Sequence, residues 1–205
     1  AADGEQVLTR VGRGAIYLMR LANSTLKTCR VLALLGLGAG LASAKSGEVQ
    51  GQVFLYKSAK DGKKLPVQGW DLSRMVLYLV PDGHQLSSSA PGAHAKMSQK
   101  NAKFRPELVV VTKGQTVEFP NDDNIDHNVF SFSKAKKFDL GIYAKGQTKS
   151  VTFDREGPVL VFCSIHENMN STIFVAPNPL HAVADGSGKF RIANVPPGRY
   201  KLLTW

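Results

Sequence analysis

The chain has 205 residues, with 26 Lys and Arg against 16 Asp and Glu for a net charge of +10. Its hydrophobic fraction of 43% is that of a folded protein, which excludes disorder as the default state. The basic residues come in short scattered groups (Lys57, Lys60, Lys63, Lys64; Lys96, Lys100, Lys103, Arg105; Lys134, Lys136, Lys137) with no Arg-rich block, so no recognisable nucleic-acid motif is present.

Taken in chain order, residues 1–44 read as a leader. From Met19 a basic stretch with Arg20, Lys27 and Arg30 is followed by an apolar run from Val31 to Leu41 and then Ala-Ser-Ala at 42–44. That is the three-part layout of a secretory signal peptide over 19–44, with cleavage expected after Ala44. The run is shorter than the roughly 20 apolar residues a membrane span needs. Residues 1–18 precede a candidate initiator and are assigned no function. Without the leader the chain keeps 21 basic and 14 acidic residues, a net +7 that suits steering toward an acidic protein partner or an anionic surface. It also keeps one cysteine, Cys163, so no internal disulfide is expected in an oxidising compartment.

Beyond residue 45 the pattern is β throughout. Residues 49–56 (VQGQVFLY), 75–80 (MVLYLV), 108–112 (LVVVT), 116–119 (TVEF), 129–132 (VFSF), 150–153 (SVTF), 159–162 (VLVF), 172–175 (TIFV), 190–192 (FRI) and 200–204 (YKLLT) are short runs of Val, Ile, Leu, Phe and Tyr. Gly, Pro, Asn and Asp clusters separate them, which predicts an all-β sandwich or barrel rather than βαβ units. No amphipathic helical stretch of convincing length occurs. Gly-rich texture on both flanks suggests one β-sandwich interrupted by another. The expected division is an N-terminal β segment at 45–96, a metal-binding domain at 97–177 and a C-terminal β segment at 178–205.

The chemistry concentrates in the middle. The stretch VFCSIHENM places Cys163, His166 and Met169 in one short loop as Cys-x₂-His-x₂-Met. His127 closes the polar loop NDDNID and opens a strand. A thiolate, two imidazoles and a thioether are soft donors that disfavour magnesium and calcium, and a His₂Cys plane with a weak axial Met is the blue-copper arrangement. Zinc accepts His and Cys but rarely Met. His84, His94 and His181 lie in loops without sulfur partners and are read as surface. There is no Cys-x-x-Cys-His for haem and no His-Glu-x-x-His for a metalloprotease.

On these residues the region from about 101 to 177 resembles the cupredoxins, the plastocyanin- and amicyanin-like type 1 copper proteins. FPNDDNIDHNVFSFSKAKKFDLGIY followed by VTFDREGPVLVFCSIHENM is most similar to exported bacterial plastocyanin-like proteins of the methylamine-utilisation type. The resemblance implies a Greek-key β-sandwich, one copper ion cycling between Cu(I) and Cu(II), His127, Cys163 and His166 as equatorial ligands, and Met169 as the axial one. It makes Asn128 the residue that ties the two ligand loops together by hydrogen bonding, and His166 the electron entry point. Asn168 and Asn170 beside Met169, and FRPEL at 104–108 where similar chains carry His after the proline, depart from the family pattern.

The flanks, 48–81 and 181–205, resemble the two halves of a carboxypeptidase-regulatory-like (transthyretin-like) β-sandwich, with Gly188, Phe190, Pro196, Pro197, Gly198 and Tyr200 carrying the likeness. The sequence stops at Trp205, abruptly for a last strand, so a truncated gene product is an expectation here. The function expected is an exported one-electron carrier and not an enzyme, since Met169 fills the axial position and no acid/base pair accompanies the metal. Its partner would be a redox protein, an acidic cytochrome or dehydrogenase, with no nucleic acid and no stable membrane span. The alternatives are a copper-binding or delivery protein without a redox role, and an adhesion or scaffold module.

Overall fold

Runs of β-branched and aromatic residues closed by Gly, Pro, Asn or Asp favour short paired strands, and the structure, a computed structural model, consists of such strands. It describes residues 7–11, 28–33, 46–58, 64–66, 72–86 and 92–205, with the backbone alone at 7–11, 28–33, 56–58 and 64–66. Most of the expected leader, and its cleavage point at Ala44, lie outside the described residues. Among the described residues there is no helix, hence none long and apolar enough to cross a membrane.

Five strands come first: β1 (Val7–Val11), β2 (Thr28–Ala33), β3 (Gly47–Ser58), β4 (Lys64–Pro66) and β5 (Val76–Pro81). Ten follow: β6 (Ala95–Lys96), β7 (Ser98–Gln99), β8 (Phe104–Arg105), β9 (Leu108–Thr112), β10 (Gln115–Pro120), β11 (His127–Phe132), β12 (Lys137–Tyr143), β13 (Thr148–Phe153), β14 (Gly157–Phe162) and β15 (Asn170–Ala176). Three more are β16 (His181–Val183), β17 (Lys189–Val195) and β18 (Gly198–Thr204). The chain separates into two compact units, one formed by residues up to 87 together with 180–205, the other by 88–179.

The 88–179 unit is a two-sheet sandwich. One sheet runs β12-β11-β14-β15-β9 and the other β13-β10-β6, with β7 and β8 forming a hairpin. Strand β15 pairs in parallel with β9, a crossover that a simple meander would not produce. Period-two alternation fills the space between the sheets: along β14, Val159 and Val161 are buried while Leu160 and Phe162 face out. Val129, Ile173 and Val175 join them from the same sheet, and Val117, Phe119, Val151 and Phe153 from the other. Burying each of these apolar side chains contributes roughly 1.5–3 kcal/mol.

One buried polar cluster locks this core to its loops. Gln99 Nε2 donates to the Tyr143 hydroxyl at 2.6 Å, and that hydroxyl donates to the Phe119 carbonyl at 2.8 Å. Asn121 Nδ2 donates to the carbonyls of Tyr143 and Ile125. Burial pushes the Tyr143 phenol well above its ordinary pKa, so it stays neutral and acts as a hydrogen-bonding post.

In the other unit, β17-β3-β2 form one sheet, with β4 also paired to β3, and β1-β18-β5-β16 form another. Val49, Val53, Leu77, Leu79, Phe190, Ile192, Tyr200 and Leu202 share its core. Gly188 has φ +85°, and a Cβ there would lie 2.3 Å from the Val53 carbonyl oxygen, so the turn before β17 requires glycine.

Strands fall where the apolar runs predict them, usually one or two residues longer. Strands β1 and β2, the short β4, β6, β7, β8 and β16, and the longer β12 go unpredicted; in β12, KFDLGIY carries Lys137, Asp139 and Gly141, and it forms an exposed edge whose shape comes from pairing with β11. Two surface assignments are corrected. The His84 ring is half-buried, edge-on to Tyr200 at 4.9 Å. His181 lies in β16, opposite Tyr78 of β5, and burial lowers its pKa. His94 is exposed, as expected, beside Glu118.

Replacing Tyr143 by Phe would remove the short hydrogen bond of the buried Gln99 amide and one of the bonds to the Phe119 carbonyl. The expected loss is about 1–3 kcal/mol in urea denaturation. Adding Gln99→Leu should recover part of it, because both partners are then apolar.

Candidate metal centre

Strand pairing decides which side chains meet. Phe130 of β11 stands opposite Phe162 of β14. His127, three residues before Phe130, and Cys163, immediately after Phe162, therefore reach the same end of the five-stranded sheet. His127 also pairs with Tyr143 of β12, so its backbone is held between strands rather than in a loose loop.

The 163–169 loop is closed on itself. The Cys163 N–H donates to the Met169 carbonyl at 3.1 Å, and the Met169 N–H donates to the His166 carbonyl at 3.0 Å. These bonds fix the two ends of the loop against the core. Cys163 is 5% exposed and Met169 1%, and both belong to the same apolar cluster as Val129 and Val161. The tip stands outside: Ser164, Ile165, Glu167 and Asn168 are exposed, and His166 is half-buried between tip and core.

The donor atoms converge. Cys163 Sγ lies 3.9 Å from His127 Nδ1 and 3.8 Å from His166 Nδ1, and the three ligand atoms all lie within 4.8 Å of one another. The two imidazole rings sit 4.9 Å apart at 58°. Bonds of about 2.0–2.3 Å to nitrogen and sulfur put trigonal donors about 3.5–4 Å apart. The observed spacings suit one metal ion without rearrangement of the backbone. Borderline nitrogen and soft sulfur suit a transition metal rather than magnesium or calcium. Met169 is buried in the same core cluster as Cys163, where a thioether could add a weak fourth donor.

His127 is completely buried and uses both ring nitrogens. Nδ1 faces Cys163, while Nε2 lies 3.0 Å from Asp123 Oδ2. A carboxylate there accepts the Nε2 proton and leaves the Nδ1 lone pair free, which is the tautomer a metal needs. Asp123 is itself organised. Its Oδ2 also accepts the Ala102 N–H at 2.8 Å and its Oδ1 the Asn124 N–H at 2.9 Å. The Ala102 N–H is the main cause that draws the Asp123 carboxyl down to about 2; His127 and Asn124 add to the effect and burial opposes it.

Asn128 is buried beside the site, but its hydrogen bond differs from the expected one. Nδ2 donates to Asp139 Oδ1 at 2.7 Å, on the neighbouring β12, rather than joining the 163–169 loop. The register shift between Asn128 and Phe130 brings Asp139 within reach. Asp139 also accepts the Gly141 N–H, and these two bonds lower its pKa.

His127, Cys163 and His166 come together as the sequence suggests. Asp123 and Ala102 carry no sequence signal of their own: an Asp four residues before a histidine is one of three acids in the NDDNID loop, and only the fold shows which one turns inward.

Residues 92–176 match the family described as copper binding proteins of the plastocyanin/azurin family. Among curated proteins, none matches the chain. Solved structures resemble part of it. A purple cupredoxin from Nitrosopumilus maritimus shares 23% identity over 40% of this chain and 99% of its own, with a TM-score of 0.37. A proline-to-glycine mutant of amicyanin, in its reduced Cu(I) form, shares 24% over 43% of this chain and 86% of its own, with a TM-score of 0.38. A Cu-containing nitrite reductase from Thermus scotoductus shares 22% over 48% of this chain but only 26% of its own, with a TM-score of 0.40. Residues 92–176 form a cupredoxin domain, a member of the plastocyanin/azurin family, and copper is its metal.

Proposed function

We propose that this protein is an exported one-electron carrier built around a single type 1 copper ion. His127, Cys163 and His166 would be the equatorial ligands and Met169 the axial one. The observation that carries the reading is the buried Cys163 Sγ within 4 Å of two imidazole Nδ1 atoms, a thiol that forms no disulfide among the described residues. An unpaired thiol in an exported protein is a liability unless it is buried, paired between chains or bound to something, and here it is buried with two imidazole nitrogens aimed at it.

Copper held there would supply a Cu(I)/Cu(II) couple. The chain's own residues supply the rest. Cys163, Met169 and His127 sit in the core and keep water away. The loop bonds between residues 163, 166 and 169 resist the geometric change that the two copper states would otherwise demand. His166, half-buried at the tip, offers the shortest way to the surface, and the neighbouring Ile165, 47% exposed, gives a partner an apolar contact. Expected partners are redox proteins with acidic surfaces, in keeping with the net +7 of residues 45–205.

Export is supported by the leader pattern at 19–44, whose cleavage after Ala44 would remove β1 and β2. We also assign the 48–81 and 181–205 segments to a carboxypeptidase-regulatory-like sandwich. Phe190 and Tyr200, the aromatic residues of its C-terminal motif, are buried in one core with Leu77 and Leu79.

With stoichiometric Cu(II), the protein should show an intense thiolate-to-copper charge-transfer band and a narrow copper hyperfine splitting in EPR, both lost in Cys163→Ser. A protein that takes up copper without that band would be a binding or delivery protein, and one that takes up none a scaffold. Met169→Leu should keep the band and raise the reduction potential, because Cu(II), which prefers the higher coordination number, loses more than Cu(I) when a weak axial donor is removed. Protein-film voltammetry checks the direction.

A further inference from the structure

The hairpin formed by β7 and β8 contains two non-glycine residues in the left-handed region. Asn101 has φ +53° and Ala102 φ +49°. They are the central pair of a tight turn in which the Lys100 and Lys103 backbones bond reciprocally at 2.9 and 3.2 Å. Asparagine tolerates this conformation, but alanine does so at a cost, and glycine is the usual occupant of the second position. Strain of this kind persists only where surrounding structure holds it. Here the holding contact is visible: the Ala102 N–H points at Asp123 Oδ2 at 2.8 Å, the same oxygen that accepts the His127 Nε2 proton at 3.0 Å.

The turn is tied to the same place by other bonds. Lys100 Nζ donates to the Asp122 carbonyl at 2.7 Å, and the Asp122 N–H donates to the Gln99 carbonyl at 3.0 Å. Asn121 Oδ1 accepts the Asp123 N–H at 3.0 Å. Asp123 is thus gripped through its backbone by Asn121 and through its carboxylate by the turn, and it retains one direction in which to face the imidazole.

We propose that the 100–103 turn is a positioning element for the metal centre, with Ala102 and Asp123 as positioning residues. The Ala102 N–H orients the Asp123 carboxylate, and that carboxylate holds His127 in the Nε2–H tautomer with Nδ1 aimed at Cys163. This inference rests on the copper-ligand reading of His127, but its central step concerns the metal-free protein and is measured there. The turn contributes no ligand and acts through one shared oxygen.

The test is nitrogen-15 NMR of the imidazole rings in the metal-free full chain, with amide hydrogen exchange. His127 should show one tautomer, protonated at Nε2. The Ala102 amide should exchange at least about 10-fold more slowly than the exposed Asn101 amide. Ala102→Pro deletes the N–H and, with φ locked near about −65°, also the left-handed turn that aims it, so it should give mixed or broadened His127 tautomer signals, whereas Ala102→Gly, which keeps the N–H and suits the backbone, should behave as the parent does. A folded Ala102→Pro protein whose His127 remains a single Nε2–H tautomer would overturn the proposal. If that variant does not fold, the parent's exchange rates decide: an Ala102 amide as labile as that of Asn101 refutes the shared-oxygen bond. Asp123→Asn should weaken Cu(II) binding by about 10–100-fold. A parent that binds no copper but shows the tautomer and exchange pattern would sink the electron-carrier reading and leave the positioning intact.

Discussion

A thiol and an imidazole 36 residues apart must share one small volume with a second imidazole, with water kept out, and the cupredoxin unit is organised around that constraint. Bringing such groups together costs loop-closure and side-chain entropy, which a flexible chain would have to meet at each binding event. Pairing β11 with β14 meets it during folding. Once Phe130 faces Phe162, His127 and Cys163 have nowhere else to be, and the apolar residues Val129, Val159 and Val161 that drive the pairing share one core with the Cys163 thiol. The metal centre is a by-product of core packing rather than an addition to it.

Polar groups admitted to such a core have to be satisfied, and the way they are satisfied gives the site its stiffness. Gln99, Tyr143 and Asn121 connect the β7–β8 hairpin, the loop before His127 and the end of β12 through buried hydrogen bonds. Asp123 extends that connection to the imidazole. Among the described residues of this unit, two buried acceptors remain without a hydrogen-bond partner, Gln99 Oε1 and Asn128 Oδ1. The arrangement favours direction over completeness: each bond that is made constrains the path toward His127.

Local features of the site were legible in the sequence, and features made by distant contacts were not. Cys163, His166 and Met169 could be read together because one loop carries all three, and the pattern of their side chains is the pattern of the ligands. His127 was legible as a histidine opening a strand, with the family resemblance supplying its role. Asp123 was not, because its importance depends on an N–H from Ala102, 21 residues upstream. The partner of Asn128 is illegible in the sequence for a related reason. A register shift in the β11–β12 pair sets what that amide reaches, and no spacing rule predicts a bulge from a sequence as mixed as KFDLGIY. The strands themselves were legible wherever one face is apolar, and β12 was missed where the edge of the sheet let Lys137, Asp139 and Gly141 dilute the signal.

The 163–169 loop divides its work between its ends and its tip. Its ends, Cys163 and Met169, are anchored in the core and joined by a backbone hydrogen bond, so they belong mechanically to the sandwich. Its tip, with Ser164, Ile165, Glu167 and Asn168 exposed, belongs to the solvent and to whatever docks there. His166 stands where the two regimes meet, one nitrogen turned to the sulfur and the ring partly uncovered. Substitutions at the tip can therefore alter charge and shape toward a partner without disturbing the distances among the donor atoms. The polar residues Asn168 and Asn170, which depart from the family pattern, fall on the solvent side of that division, where they change the surface a partner meets more than the grip on the metal.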